Sequence, residues 1–257
     1  MIFLTRALAL FLAVGAIGGC NATAPKQNAA APFEAQSSAL TLRAQDGVTV
    51  YGRLYPAERP KAVILLFHQA GSSKDEYATI APRLVAAGYT ALAIDQRAGG
   101  GLYGPNETAG HVTGKPDYLD AAQDLQAAVD WASAQNVPLI VWGSSYSAAL
   151  VFPIAAKNSF KIKGVLAFSP GEYFADKHLV EAAAARLTVP VYLTSAPDAE
   201  EVAAAKAVSD ALPPGLVTRY APTEGGHGSS MLIAAKDPKG AETNWLPVLS
   251  FLKKVAP

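Results

Sequence analysis

The sequence contains one cysteine, Cys20, so a disulfide within the chain is excluded. An excess of charge of one sign is also missing, because 21 basic side chains balance 21 acidic ones and only 16% of residues are charged. Without a basic patch there is no electrostatic footprint for nucleic acid, and no nucleic-acid partner is expected. No His-Glu-x-x-His motif, cysteine pair or P-loop is present. We therefore expect no metal and no cofactor.

One glycine-rich segment matches a dinucleotide-binding pattern, but its context differs from that of such a site. Residues 99–104 read Gly-Gly-Gly-Leu-Tyr-Gly and follow a predicted strand. A dinucleotide site requires a helix N-terminus at this point, whereas Pro105-Asn106 and a polar stretch follow. The segment is predicted to be a loop.

The N-terminus does not resemble the rest of the chain. Arg6 precedes an apolar run over residues 7–17, which is too short to span a bilayer, since spanning requires about 20 residues. This layout is typical of a secretory signal peptide over residues 1–19. Residues 20–38 are rich in Ala, Asn, Gln, Ser and Pro, a composition that predicts a flexible tether.

The end of the apolar run, Ile17-Gly18-Gly19-Cys20, resembles the lipobox of bacterial lipoproteins. This resemblance implies a lipid on Cys20 and a membrane partner, with the protein anchored in the cell envelope on the periplasmic side or the cell surface. The alternative is ordinary cleavage after Ala22-Thr23-Ala24, which would release an unanchored exported protein. The oligomeric state is left open.

The remaining chain, residues 39–257, predicts one α/β domain, and 51% of all residues are hydrophobic. Two short alternating runs flank the turn Gln45-Asp46-Gly47 and predict an antiparallel hairpin. Strands and helices then alternate, which predicts a mostly parallel sheet with helices on both faces. The strands are expected at 62–67, 90–94, 139–142, 165–168, 189–193 and 217–220, and the helices at 74–87, 118–134, 179–187, 200–211 and 244–254.

Reactive groups in such sheets gather beyond the carboxyl ends of the strands. The apolar strand that ends at Trp142 runs into Gly143-Ser144-Ser145-Tyr146-Ser147, and a helix follows. This pattern predicts a nucleophile elbow, in which a strained turn holds the Ser145 hydroxyl clear of the sheet. The usual pattern ends in glycine, and here Ser147 takes that position. Ser144 or Ser147 as the nucleophile is the alternative to Ser145.

A serine nucleophile requires a histidine base and a carboxylate that orients it. His227 lies in a glycine-rich loop just past the last strand and is the best candidate of the four histidines. Asp198 follows the strand that begins near Val189 and is the predicted acid. It also fits the N-cap of the next helix, and Glu200 and Glu201 are held in reserve.

The chain from Ala39 onwards resembles the α/β-hydrolases, in particular the dienelactone hydrolase-like branch. The resemblance rests on the elbow, on the order Ser145, Asp198, His227, and on the segment Phe67-His68-Gln69-Ala70-Gly71. It implies an oxyanion hole formed by backbone N–H groups of Tyr146 and of Ala70 or Gln69. The segment between the strands at 165–168 and 189–193 is too short for the cap domain of many relatives.

The predicted function is a serine esterase that cleaves small or short-chain carboxylic esters through an acyl-enzyme. A peptidase or an acyltransferase would use the same three residues. A non-catalytic envelope binding protein is the alternative outside enzymes.

Overall fold

The computed structural model describes residues 36–257. Its strands are β1 (Ser38–Arg43), β2 (Thr49–Tyr55), β3 (Val63–Phe67), β4 (Thr90–Ile94), β5 (Leu139–Ser144), β6 (Ile162–Phe168), β7 (Val191–Thr194) and β8 (Val217–Tyr220). The helices are α1 (Ile80–Ala86), α2 (Glu107–His111), α3 (Ala122–Ser133), α4 (Tyr146–Lys157), α5 (Leu179–Ala184), α6 (Ala199–Ala211) and α7 (Ala241–Val255). Short 3₁₀ helices lie at Lys74–Tyr77, Tyr118–Ala121 and Gly228–Leu232.

The strands form one eight-stranded sheet in the order β1-β2-β4-β3-β5-β6-β7-β8. The pairs β1·β2 and β2·β4 are antiparallel, and all other neighbours are parallel. The carboxyl ends of β3 to β8 therefore share one edge, with β5 near the centre. This confirms the predicted mostly parallel sheet that begins with an antiparallel hairpin.

Alternate residues of a strand point to opposite faces, and here both faces are apolar. In β3, Val63 and Leu65 join one buried cluster and Ile64 and Leu66 join the other. Helices α3 to α6 contribute to the first cluster, whereas α1 and α7 contribute to the second. The predicted covering of both faces by helices is confirmed, and this architecture is the α/β-hydrolase fold.

Two helices begin later than the hydrophobic spacing predicts. The predicted helix at 74–87 is a 3₁₀ turn at Lys74–Tyr77 followed by α1, and the one at 118–134 is a 3₁₀ turn at Tyr118–Ala121 followed by α3. The predicted polar loop at 98–116 contains the short helix α2, with Asn106 as its N-cap. Within residues 169–190, which are all described, α5 is the only helix, and no cap domain is inserted.

Across residues 36–257, no helix combines the length and the apolar character needed to cross a membrane. The predicted signal peptide, the lipidated Cys20 and most of the tether lie outside the described residues.

Candidate active site

Ser145 occupies a sharp turn between β5 and α4. Its φ of 59° and ψ of −124° are strained for a residue other than glycine and cost about 1–3 kcal/mol. The Ser145 N–H donates to the Phe168 carbonyl at 2.8 Å and ties the turn to β6. Strand and helix touch here, because a Cβ on Gly143 would lie 2.2 Å from the Ser147 carbonyl oxygen. The local geometry is that of a nucleophile elbow.

The two flanking serines are fully buried and are engaged elsewhere. Ser144 Oγ accepts the Ser229 N–H at 2.9 Å. Ser147 Oγ donates to the His68 carbonyl at 2.6 Å and accepts from the Gln96 side chain at 2.5 Å. The serine in place of the usual glycine therefore links the elbow to the loops after β3 and β4. Ser144 and Ser147 have structural contacts, whereas Ser145 is the serine at the turn itself.

His227 pairs with a carboxylate on α6. Its Nδ1 lies 2.5 Å from Oε1 of Glu201. The other carboxylate oxygen of Glu201 accepts from Ser169 Oγ at 2.5 Å and from the Ala196 N–H at 3.0 Å. Because the carboxylate is an acceptor, Nδ1 carries the proton and Nε2 is left as the basic nitrogen of the ring.

These contacts shift the pKa values of both partners. The hydrogen bond to Glu201 raises the pKa of His227 above its ordinary value, although burial opposes this. Burial raises the pKa of Glu201, but the hydrogen bonds from His227, Ser169 and Ala196 outweigh it, so the net pKa lies below the ordinary value. Glu201 is therefore ionised, and it favours the protonated imidazole that a general base forms during reaction.

The predicted pairing of Asp198 with His227 is corrected by the structure. Asp198 is the exposed N-cap of α6, and its Oδ1 accepts the Glu201 N–H at 3.0 Å. A cap side chain turns toward the first helical turn to reach these amides. The third residue of α6, Glu201, is instead directed back over the end of β7 toward the histidine loop, the segment 221–229 that follows β8 and carries His227. Glu200, the other reserve candidate, is exposed.

The histidine loop is bonded to the elbow on the side of Ser144. The Gly228 N–H donates to Ser169 Oγ and the Ser229 N–H to Ser144 Oγ, both at 2.9 Å. Gly228 has φ +64°, and a Cβ there would lie 2.3 Å from Ser144 Oγ. Only glycine fits beside His227 in this conformation. Gly228, which follows the candidate base, thus contacts Ser144, which precedes the candidate nucleophile.

Two residues of the site were missed by the sequence analysis, and both follow β6. Ser169 has φ 58°, and it joins Glu201 to the backbone of the histidine loop. The Tyr173 hydroxyl donates to the Ser169 carbonyl at 2.9 Å. Burial, and after it the charge of Glu201, raises the pKa of Tyr173. Their position after a parallel strand was the available signal.

Of the two predicted oxyanion donors in the loop after β3, one already has an acceptor. The Gln69 N–H donates to Glu76 Oε2 at 2.9 Å, so Gln69 is withdrawn as an oxyanion donor. Within residues 36–257 the Ala70 N–H has no acceptor. The Tyr146 N–H belongs to the first turn of α4, where amide groups lack helical partners. Ala70 and Tyr146 are therefore the two candidate oxyanion donors.

The other three histidines have other contacts. His68 is fully buried; its Nδ1 donates to the Gln69 carbonyl at 2.8 Å, and its Nε2 accepts the Gln96 N–H at 2.9 Å. Burial lowers its pKa to about 4, so it is neutral and structural. His111 and His178 are exposed, which confirms the prediction that both are surface residues.

The predicted loop at 98–116 borders the segment after β3. The Gly100 N–H donates to the Ser72 carbonyl at 2.8 Å and the Leu102 N–H to the Gly71 carbonyl at 3.0 Å. Leu102 itself is exposed beside this segment. The glycine-rich loop therefore forms part of the wall next to the candidate site.

The sheet, the elbow and the His227–Glu201 pair together define an enzyme of the α/β-hydrolase class. A family comparison agrees: residues 58–221 match the Hydrolase_4 model, described as serine aminopeptidase, S33. The chain belongs to this family. A search of curated proteins found no match.

Solved structures share the fold at low sequence identity. An esterase from Pyrococcus furiosus is 18% identical with a TM-score of 0.65, over 87% of this chain and 92% of that one. A dienelactone hydrolase from Anabaena variabilis is 18% identical with a TM-score of 0.67, over 87% and 99%. A thermostable carboxyl esterase from Bacillus coagulans is 12% identical with a TM-score of 0.67, over 86% and 99%. The chain is similar to these proteins along nearly their full lengths.

Proposed function

We propose that this protein is a serine esterase that cleaves small carboxylic esters through an acyl-enzyme. Ser145 is the nucleophile, His227 the general base, Glu201 the acid that orients it, and the N–H groups of Ala70 and Tyr146 the oxyanion hole. The observation that carries the proposal is the His227–Glu201 hydrogen bond in a loop bonded to the elbow. The solved neighbours include proteins named as esterases, which supports the choice of ester over other acyl substrates.

Each residue has a defined task in this reaction. Ser145 Oγ attacks the ester carbonyl while His227 Nε2 takes the hydroxyl proton. The carbonyl oxygen becomes an oxyanion and accepts hydrogen bonds from the Ala70 and Tyr146 N–H groups. The imidazolium then gives its proton to the leaving alcohol, and a water activated by the same histidine hydrolyses the acyl-enzyme.

Two assays test the enzyme proposal. The purified protein should hydrolyse p-nitrophenyl acetate and should react covalently with a fluorophosphonate probe, and mapping of the labelled peptide should locate the probe on Ser145. A binding protein with an inactive site would do neither, and labelling of Ser144 or Ser147 would move the nucleophile.

Small substrates are favoured by the architecture, because α5 is the only helix between β6 and β7. Within residues 36–257, no inserted cap domain encloses a long acyl chain. Comparing p-nitrophenyl esters of two, four, eight and twelve carbons tests this, and kcat/KM is expected to be highest for the short chains.

A peptidase is the second candidate, because the matched family is described as a serine aminopeptidase. The same triad attacks an amide, but the leaving amine is harder to expel. Matched aminoacyl p-nitroanilide and p-nitrophenyl ester substrates separate the two functions. A kcat/KM for the anilide equal to or above that for the ester would favour the peptidase, and acyl transfer to added alcohols would reveal an acyltransferase.

The His227 pKa predicts the pH dependence of activity. A general base must be unprotonated, so kcat/KM should rise with pH through the pKa of His227 in the free enzyme. The hydrogen bond to Glu201 raises that pKa, so the midpoint of the acid limb should lie above 6.5, the ordinary value. In Glu201→Gln the charge is lost and the midpoint should move to lower pH. A pH profile from 5 to 9 measures both, and an unchanged midpoint would contradict the pairing.

We further propose that the protein is exported and anchored to the cell envelope through lipid on Cys20. The support is the sequence Ile17-Gly18-Gly19-Cys20 after the apolar run. Mass spectrometry of the mature N-terminus from a bacterial membrane fraction should find an acylated Cys20. Cys20→Ser should abolish the acyl mass, and an unmodified N-terminus at Pro25 would contradict the proposal.

A further inference from the structure

Glu76 has a buried carboxyl that is hydrogen-bonded to the segment after β3. It lies in the 3₁₀ turn Lys74–Tyr77 and is 1% exposed. Oε2 accepts the Gln69 N–H at 2.9 Å. Oε1 is buried and has no hydrogen-bond partner within the part of the chain that the structure describes. The carboxyl therefore contacts the backbone that precedes the candidate oxyanion donor Ala70.

Glu76 differs from its charged neighbours in having no cation beside it. Lys74 pairs with Asp95 and Glu107, and Asp75 pairs with Arg53, but residues 36–257 place no lysine or arginine on Glu76. An unpaired buried carboxyl is costly, and burial raises the pKa of Glu76 to about 7. An apolar side chain would pack at this position without that cost. The presence of a buried carboxyl here therefore calls for an explanation other than packing.

The groups that act on the Glu76 carboxyl include side chains of the candidate active site. Burial is the largest influence on the pKa of Glu76, and the Gln69 N–H, the hydroxyls of Ser144 and Ser72 and the charge of His227 act in the opposite direction. Ser144 Oγ in turn accepts the Ser229 N–H at 2.9 Å. The titratable side chains influenced by its charge are Tyr77, Tyr103, Tyr146 and His227. Within residues 36–257, the hydrogen bond that the Glu76 carboxyl accepts comes from the Gln69 N–H in the loop after β3.

We infer that Glu76 is a positioning residue for the oxyanion hole: by accepting the Gln69 N–H, it fixes the orientation of the His68–Gln69 peptide, so that the Ala70 N–H rather than the Gln69 N–H is available for substrate. The inference rests on the proposed function. Without the acceptor, the Gln69 N–H would be buried and unsatisfied, and the segment would rearrange to find a partner. The Ala70 N–H would then leave the oxyanion position.

The test separates the acceptor atom from the charge. Glu76→Gln keeps an oxygen at the same reach, whereas Glu76→Asp keeps the charge but retracts the oxygen by one methylene. In hydrolysis of p-nitrophenyl acetate, we expect Glu76→Gln to retain kcat within about threefold. Glu76→Asp should lower kcat by about 10- to 100-fold with little change in KM, because an oxyanion contact acts mainly in the transition state. Glu107→Gln, which removes a nearby carboxylate that binds Lys74 instead, is the matched control and should match the wild type.

Hydrogen exchange of the peptide covering residues 68–73, followed by mass spectrometry, gives a readout that does not need activity. Exchange should be faster in Glu76→Asp than in wild type or Glu76→Gln. Unchanged exchange in Glu76→Asp overturns the inference, and so does faster exchange with an unchanged kcat. If the wild type shows no esterase activity at all, the proposed function fails, and the exchange comparison still decides whether Glu76 fixes the segment.

Discussion

Replacing Ser145 with alanine is expected to lower kcat for ester hydrolysis by about 10⁶-fold and to abolish fluorophosphonate labelling. The magnitude follows from removing the atom that forms the acyl-enzyme, which leaves only the slow attack of water. His227→Ala should lose about as much, because nucleophile and base act as one unit. The measurement is kcat with p-nitrophenyl acetate, with the alanine variants checked for an unchanged thermal unfolding midpoint.

The neighbouring serines provide matched controls for Ser145. Ser144→Ala and Ser147→Ala also remove one hydroxyl each, but these hydroxyls bind Ser229 and His68 rather than substrate. Their losses in kcat should be at least a thousandfold smaller than that of Ser145→Ala. Each variant should also lose about 1 kcal/mol in the free energy of unfolding, because a buried hydrogen bond is broken. If Ser144→Ala were inactive and Ser145→Ala active, the elbow serine would be misassigned.

The second large effect is expected at Glu201. Glu201→Gln should lower kcat by about 10⁴-fold, because an amide can hold the imidazole in the wrong tautomer and cannot stabilise the imidazolium. Asp198→Asn should remain close to wild type, since asparagine caps a helix as well as aspartate does. Glu200→Gln tests an exposed carboxylate one residue away and should be silent. A loss in Asp198→Asn as large as that in Glu201→Gln would contradict the assignment of Glu201.

The elbow could be predicted because its signal is local. An apolar strand, a run of small residues and a helix follow one another within a few positions of Ser145, and steric contact between strand and helix demands small residues there. His227 could also be predicted as a candidate, because its loop follows the last strand. In a parallel sheet all loops that follow strands lie at one edge. Neither inference needed the packing of distant elements.

The acid could not be chosen in the same way. Asp198 and Glu201 lie three residues apart at the start of one helix, and both follow the same strand. Asp198, as the cap, bonds to a helix amide, whereas Glu201, the third helical residue, is turned toward the end of the strand. Which of the two carboxylates pairs with His227 depends on the position of the loop after β8. The choice between the two candidate oxyanion donors, Gln69 and Ala70, also depends on a contact with a distant residue. Only the distant Glu76, bonded to the Gln69 N–H, distinguishes Gln69 from Ala70.

The sequence by itself determined the order of strands and helices, the two apolar faces of the sheet and the residue at the elbow, because hydrophobic periodicity and short-range sterics act within one segment. The tertiary structure decided the partner of His227, the acceptor of the Gln69 N–H and the contacts of Ser169 and Tyr173. These depend on contacts between side chains and backbones that are far apart in the chain, and such contacts leave no periodic trace in the sequence.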